Sequence, residues 1–167
     1  MIKYLKILFL LACILCMNLL PAQEHHHQDH EDHKMHRHQP NEFGLAAFPV
    51  YFMNKKEVAF GLHFHYLRLV GDSPFGWGLG YERIFDEHGH NTFGIVGSYR
   101  PIKHLSFNLS PGITFEDEDA SEIKFAFHIE SMYDFEIGNV HIGPLIELAF
   151  DPEDTHISLG LHVGYGF

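Results

Sequence analysis

From residue 43 to the carboxyl terminus, bulky apolar residues alternate with small or polar ones. The last run is the plainest. Ile157, Leu159, Leu161, Val163, Tyr165 and Phe167 fall on one face of a strand, and His156, Ser158, Gly160, His162, Gly164 and Gly166 on the other, because successive strand side chains point to opposite sides. The same period sets Phe60, Leu62, Phe64 and Tyr66 against Gly61, His63 and His65, and Phe75, Trp77, Leu79 and Tyr81 against Gly76, Gly78, Gly80 and Glu82. It sets Phe107, Leu109 and Ile113 against Ser106, Asn108, Ser110 and Gly112, then Phe125, Phe127 and Ile129 against Ala126, His128 and Glu130. Eight strands are predicted, at residues 43–53, 57–70, 75–86, 91–101, 104–115, 122–137, 139–150 and 155–167. They are separated by tracts of turn-forming composition: N-K-K, G-D-S-P, E-H-G-H, I-K, E-D-E-D-A-S, G-N and D-P-E-D-T. The first strand, F-G-L-A-A-F-P-V-Y-F-M, is apolar on both faces, so alternation does not orient it.

Segments of about 10 to 16 residues are longer than ordinary soluble strands and match tilted membrane crossings. An even strand count closes an antiparallel barrel of that kind. Glycines and charges suit the narrow interior, where eight strands leave space only for interdigitating side chains. The 16 Phe, one Trp and seven Tyr suit the exterior, with rings near strand ends acting as interfacial girdles. The predicted fold class is all-β, an eight-stranded antiparallel up-and-down transmembrane β-barrel over residues 42–167. A soluble periplasmic barrel carrying a small apolar ligand would need the opposite polarity, with phenylalanines inward and Glu82, Glu130 and Glu147 outward.

The amino-terminal end carries a different signal. Lys3 and Lys6 precede an apolar run from Ile7 to Leu20, followed by Pro21, Ala22 and Gln23, the order of a secretory signal peptide, assigned to residues 1–22. Leu10-Leu11-Ala12-Cys13 has lipobox character, but the apolar run continues well past Cys13, which disfavours lipidation there. Both cysteines, Cys13 and Cys16, lie in this segment, so the mature chain has no thiol chemistry. Residues 23–41 form a leader too polar to bury a core, predicted to be disordered. Of 11 basic residues only Lys3 and Lys6 leave with the signal, so nine face 22 acidic ones and the mature chain carries −13 with histidines neutral. That balance excludes nucleic acid as a partner.

The region from Phe43 to Phe167, closing on G-Y-G-F, resembles the small eight-stranded outer-membrane β-barrel proteins of the OmpX and OmpA-barrel type, including the many short ones of Bacteroidota, whose signals often end at Ala-Gln as Ala22-Gln23 does here. The resemblance implies an outer-membrane address in a Gram-negative envelope, with lipid and lipopolysaccharide around the barrel. It also implies that the barrel-assembly machinery reads the terminal aromatic signal. Very short loops and the histidine-rich leader depart from the better-known members, so adhesion through long loops is not expected.

With the amino terminus starting in the periplasm, N-K-K, E-H-G-H, E-D-E-D-A-S and D-P-E-D-T fall at the outer end, and the leader stays periplasmic. Three sets of candidate chemistry follow. In the leader, His25, His26, His27, His30, His33, His36 and His38, with Asp29 and Asp32, offer many neutral nitrogen and carboxylate donors for zinc, copper, nickel or cobalt. Their irregular spacing suggests several weak exchanging sites and not one tetrahedral centre. The alternative is a hydrophilic tether with no dedicated metal role. In the lumen, His63, His65, Glu82, Arg100, His128, Glu130, Glu147 and His162 face inward, and unpaired burial is costly. They form either a structural network, with Arg100 between Glu82 and a carboxylate such as Glu130, or a metal or proton site. At the outer mouth, Asp86, His88, His90, Glu116, Asp117, Glu118, Asp119, Asp151, Glu153 and Asp154 form an acidic rim that either collects divalent cations or is simply solvated and bridged by ions to lipopolysaccharide.

No nucleophile elbow, H-E-x-x-H or phosphate loop is present, so no catalytic residue is assigned and no enzyme is expected. The leading expectation is a non-enzymatic outer-membrane barrel whose periplasmic leader binds transition metals in homeostasis or resistance, with metal-efflux components as candidate partners. The alternative is a structural or envelope-stress barrel.

Overall fold

The computed structural model describes residues 39–167; the signal peptide and the leader up to His38 lie outside the described residues, and Asn41, assigned above to the disordered leader, instead opens the first strand. Nine strands are present: β1 Asn41–Phe52, β2 Glu57–Leu69, β3 Phe75–Phe85, β4 His90–Ile102, β5 Leu105–Glu116, β6 Lys124–Tyr133, β7 Phe135–Ile137, β8 Val140–Phe150 and β9 Thr155–Gly166. Each pairs antiparallel with its chain neighbour from β1 to β6. β6 and β7 both pair with β8, and β9 returns to β1, closing the sheet. β6 and β7 are thus one crossing broken at Asp134, and the barrel has the eight crossings expected. At the break β8 presents Gly143, where a Cβ would strike the Tyr133 carbonyl. The Asp134 amide leaves the ladder to donate to the His104 carbonyl at 2.8 Å.

Short connections fit their backbone demands. The turn after β7 uses Gly138 at φ 66°, and that after β3 uses Gly89 at φ 67°, conformations that cost a side-chain-bearing residue but not glycine. At the opposite pole of the chain the ends meet. The Phe167 amide donates to the Asn41 carbonyl at 2.9 Å and the Asn41 amide returns to the Phe167 carbonyl at 3.1 Å.

The exterior is an apolar band: Trp77, Leu79, Ile95, Phe125 and Leu159 are 56 to 64% exposed. Glu82, Glu130 and Glu147 are inside, at 1 to 2%. This is the reverse of what a soluble apolar-ligand carrier requires. The expected assignment of phenylalanines to the exterior needs one correction. Phe48 and Phe52, from the strand that alternation could not orient, point inward with Ala46 and Val50 and pack in one cluster with Ile84, Met132 and Leu145. Their partners include interior glycines that leave space for the rings; a Cβ on Gly61 or Gly160 would overlap Phe48. The outer surface remains apolar without them, and the lumen is filled by an apolar plug flanked by polar layers.

Register connects these layers. One row passes through all eight crossings: His141, Gly164, Gly44, His65, Gly80, Gly94, Gly112 and Ala126 are successive cross-strand partners. Apart from its two imidazoles, this row is nearly free of side chains.

Candidate functional site

The eight lumenal residues named from sequence are all on the inner face. They divide into two groups, joined by residues that the sequence argument did not select. In the middle of the barrel, His63 Nδ1 lies 2.6 Å from Glu130 Oε1, and Glu130 Oε2 accepts from Asn108 at 3.1 Å. His128 Nδ1 approaches Glu147 Oε2 at 3.2 Å and Glu82 Oε2 at 3.7 Å. Ser158 donates to Glu147 Oε1 at 3.2 Å, and His156 Nε2 lies 3.8 Å from Glu82 Oε1. Three buried carboxylates thus face three buried imidazoles. A carboxylate out of water is tolerated only beside cations or hydrogen-bond donors, and this group places each carboxylate next to an imidazole.

Arg100 belongs elsewhere. Expected between Glu82 and Glu130, it donates instead to Glu42 Oε2 at 2.6 Å, near the end where Asn41 pairs with Phe167. The other oxygen, Glu42 Oε1, lies 3.4 Å from His65 Nε2 and 3.5 Å from His141 Nε2. His162 completes the group. Its ring centroid is 5.1 Å from that of His65 and 5.2 Å from that of His141, and its Nδ1 lies 3.2 Å from Asp134 Oδ1. Glu42 was missed because the first strand was predicted to begin at Phe43, one residue after it, whereas β1 begins at Asn41. His141, His156 and Asp134 carried a usable signal, since all three fall on the polar face of their strands.

The acidic rim is placed at the mouth opposite the termini and is bound to the chain's own donors. Arg83 grips Asp117 through both carboxylate oxygens, at 2.6 and 2.5 Å, and Asn91 adds a third bond at 2.9 Å. These hydrogen bonds from Arg83, then Asn91, hold the Asp117 carboxyl down at about 2. Asp86 meets His90 Nδ1 at 2.8 Å; burial opposes its ionisation, but the bonds from His90 and the Gly89 amide outweigh it and leave its pKa lowered. Lys124 contacts Glu153 directly and Glu116 at 4.0 Å, so the Glu153 carboxyl is lowered chiefly by that lysine. Asp154 accepts from the Asn54, Lys55 and Thr155 amides at 2.7 to 3.0 Å. Asp119 accepts from Ser121 at 2.5 Å, and Asp151 from the Glu153 and Asp154 amides at 2.8 and 2.9 Å. His88 lies 3.6 Å from Glu118. His90 Nε2 also lies 3.6 Å from Glu116 and 3.8 Å from Glu153. These three side chains could hold a cation, but Lys124 already sits on both carboxylates.

A closed barrel with an apolar outside and a charged inside has the fold of the eight-stranded transmembrane β-barrels. Solved structures with that fold are similar to this chain. Neisserial surface protein A superposes with a TM-score of 0.59 at 11% identity, covering 76% of this chain and 96% of its own. A de novo designed transmembrane β-barrel gives 0.55 at 13% identity, covering 80% of this chain and 100% of its own. The designed barrel TMB2.3 gives 0.50 at 13%, covering 80% and 98%. The likeness is one of fold. No family model and no curated relative matches the sequence.

Proposed function

We propose that the protein is a non-enzymatic barrel of the outer membrane that handles transition metals, with the leader from Glu24 to His38 as a periplasmic capture segment. The observation that carries membrane residence is the inverted polarity. Side chains such as Trp77, Leu79 and Leu159 are exposed where a soluble protein would bury them, while three glutamates are enclosed. An apolar band of this kind is stable against lipid and aggregates in water. The even number of crossings brings both ends of the barrel to one mouth, and assembly through the terminal aromatic signal would make that mouth periplasmic. The metal reading is supported by the leader's seven histidines interspersed with acids, which exceed what a solubilising tether needs. Metal-efflux components are candidate partners of a periplasmic capture segment, and lipopolysaccharide of the opposite rim.

Two measurements test the reading. The protein should fractionate with outer membranes and need detergent for release; recovery in the soluble periplasmic extract would overturn membrane residence. In calorimetric titration with zinc and copper, the mature chain should bind several equivalents, and a full-length variant with its seven leader histidines changed to asparagine should lose most of them. Equal binding by both chains would remove the leader's role and favour a structural barrel.

A further inference from the structure

Glycines in the row that spans the barrel are not evenly used. Gly44 and Gly164 are direct cross-strand partners between β1 and β9, with His65 opposite Gly44 on β2 and His141 opposite Gly164 on β8. A methyl group at Gly44 would overlap the Nε2 atoms of both His65 and His162, and one at Gly164 would overlap His141 Nε2. Three imidazole nitrogens therefore gather over a floor of two glycines. Glu42 Oε1 lies within 3.5 Å of two of them.

The ring centroids of His65 and His141 stand 5.1 and 5.2 Å from that of His162, beside Arg100, Glu42 and Asp134, and Glu130 of the central network also lies near His65. His162 is fully enclosed, at 0% exposure, and its Nε2 has no hydrogen-bond partner, an expensive condition for a buried nitrogen. Its other nitrogen, Nδ1, donates to Asp134 Oδ1, which fixes the tautomer that leaves the Nε2 lone pair free. A carboxylate behind a histidine is the usual support of a metal-ligating imidazole. Arg100 does the same for Glu42, holding Oε2 so that Oε1 turns to the rings.

We propose that His65 and His162, through Nε2, and Glu42, through Oε1, whose ligand atoms lie together, form a lumenal site for one borderline divalent metal ion such as zinc or cobalt(II), with His141 beside it at 3.5 Å from Glu42 Oε1. Two imidazole nitrogens and one carboxylate oxygen are a donor set that suits such ions, with a fourth position left for water. Asp134 and Arg100 are positioning residues. His141, Asp134 and Arg100 also line a small cleft beside the site. The proposal rests on the metal-handling reading for its physiological sense, but not on the leader for its binding.

The test uses the full mature chain carrying the seven leader histidine-to-asparagine changes, refolded in detergent and dialysed against cobalt(II) alone, then zinc alone. One equivalent of cobalt should be retained, with the intense visible absorption of tetrahedral coordination, and zinc should displace it. Gly44→Ala and His162→Gln should each abolish that band, and Asp134→Asn should weaken binding by about 10- to 100-fold. His128→Gln, equally buried but in the central network, should keep it. Folding of each variant is checked by circular dichroism and by the gel-mobility difference between folded and boiled barrel. Absence of cobalt binding in the folded leader variant, survival of the band in folded His162→Gln and Gly44→Ala, or its loss in folded His128→Gln would each overturn the site. Failure of the leader reading would look different: wild type and leader variant would then bind the same single equivalent.

Discussion

At the scale of single residues, the interior illustrates why buried charge is sensitive to the loss of one partner. His63 and Glu130 are 2.6 Å apart and almost wholly enclosed. Changing Glu130 to Leu should cost roughly 3–5 kcal/mol, because it leaves an imidazolium and Asn108 without their acceptor. Adding His63→Leu should recover much of that loss, since a well-packed apolar pair is often as stable as the ion pair it replaces. Urea unfolding in detergent, read by tryptophan fluorescence of Trp77, checks both; additive losses in the double variant would argue against direct coupling. Single residues are also where the sequence was least legible. Period-two alternation identified His63, His128 and Glu147 as inward, but Arg100's partner depends on register several strands away. Glu42 fell just before the first predicted strand, which began at Phe43. Phe48 and Phe52 were hidden because that strand is apolar on both faces: nothing local distinguishes a phenylalanine that faces lipid from one that fills a lumen.

At the scale of elements, strands were easier to read than their interruptions. The crossings β2, β3 and β5 were legible in their alternation, whereas the break between β6 and β7 at Asp134 lies where Gly143 of the neighbouring strand leaves space for the Tyr133 carbonyl. The outer connections show how sequence-distant elements are tied. Arg83 of β3 reaches across to Asp117 in the loop after β5, and Asp154 before β9 binds the amides of the β1–β2 turn. The Asp117 carboxyl lies lower in the folded protein, at about 2, than the ordinary unfolded value of about 3.9. Its contribution is therefore complete above pH 4 and is lost as pH falls from about 4 toward 2. Protease cleavage within residues 117–123 should accelerate over that window in the wild type. In Asp117→Asn the loop should be cleaved faster at neutral pH, with the acid-dependent step reduced. A pH profile identical in both chains would dissociate the loop from this pair.

At the scale of the whole molecule, the feature read best from sequence was also the most global, the sense of the polarity. Alternation of small or polar residues with bulky apolar ones recurs in most of the crossings, so the unoriented first strand does not alter it. What cannot be read locally is how the lumen is filled. The apolar cluster of Phe48, Phe52, Ile84, Met132 and Leu145 sits across the axis, between polar layers. Reconstituted into planar bilayers, the barrel should give no sustained conductance steps over hours of recording. Regular steps in the purified wild type would show that this plug opens.

The two hydrogen bonds between Asn41 and Phe167 make the first and last strands ordinary neighbours, joined as any other adjacent pair in the sheet is. Topologically the chain is a ring cut at one seam, and the seam's place is a matter of biosynthesis and not of stability. A circular permutant opened in the turn at residues 53–56, with a few linking residues across the old ends, would retain every ladder. Its new termini would emerge on the far side of the bilayer, ready to display whatever is fused to them.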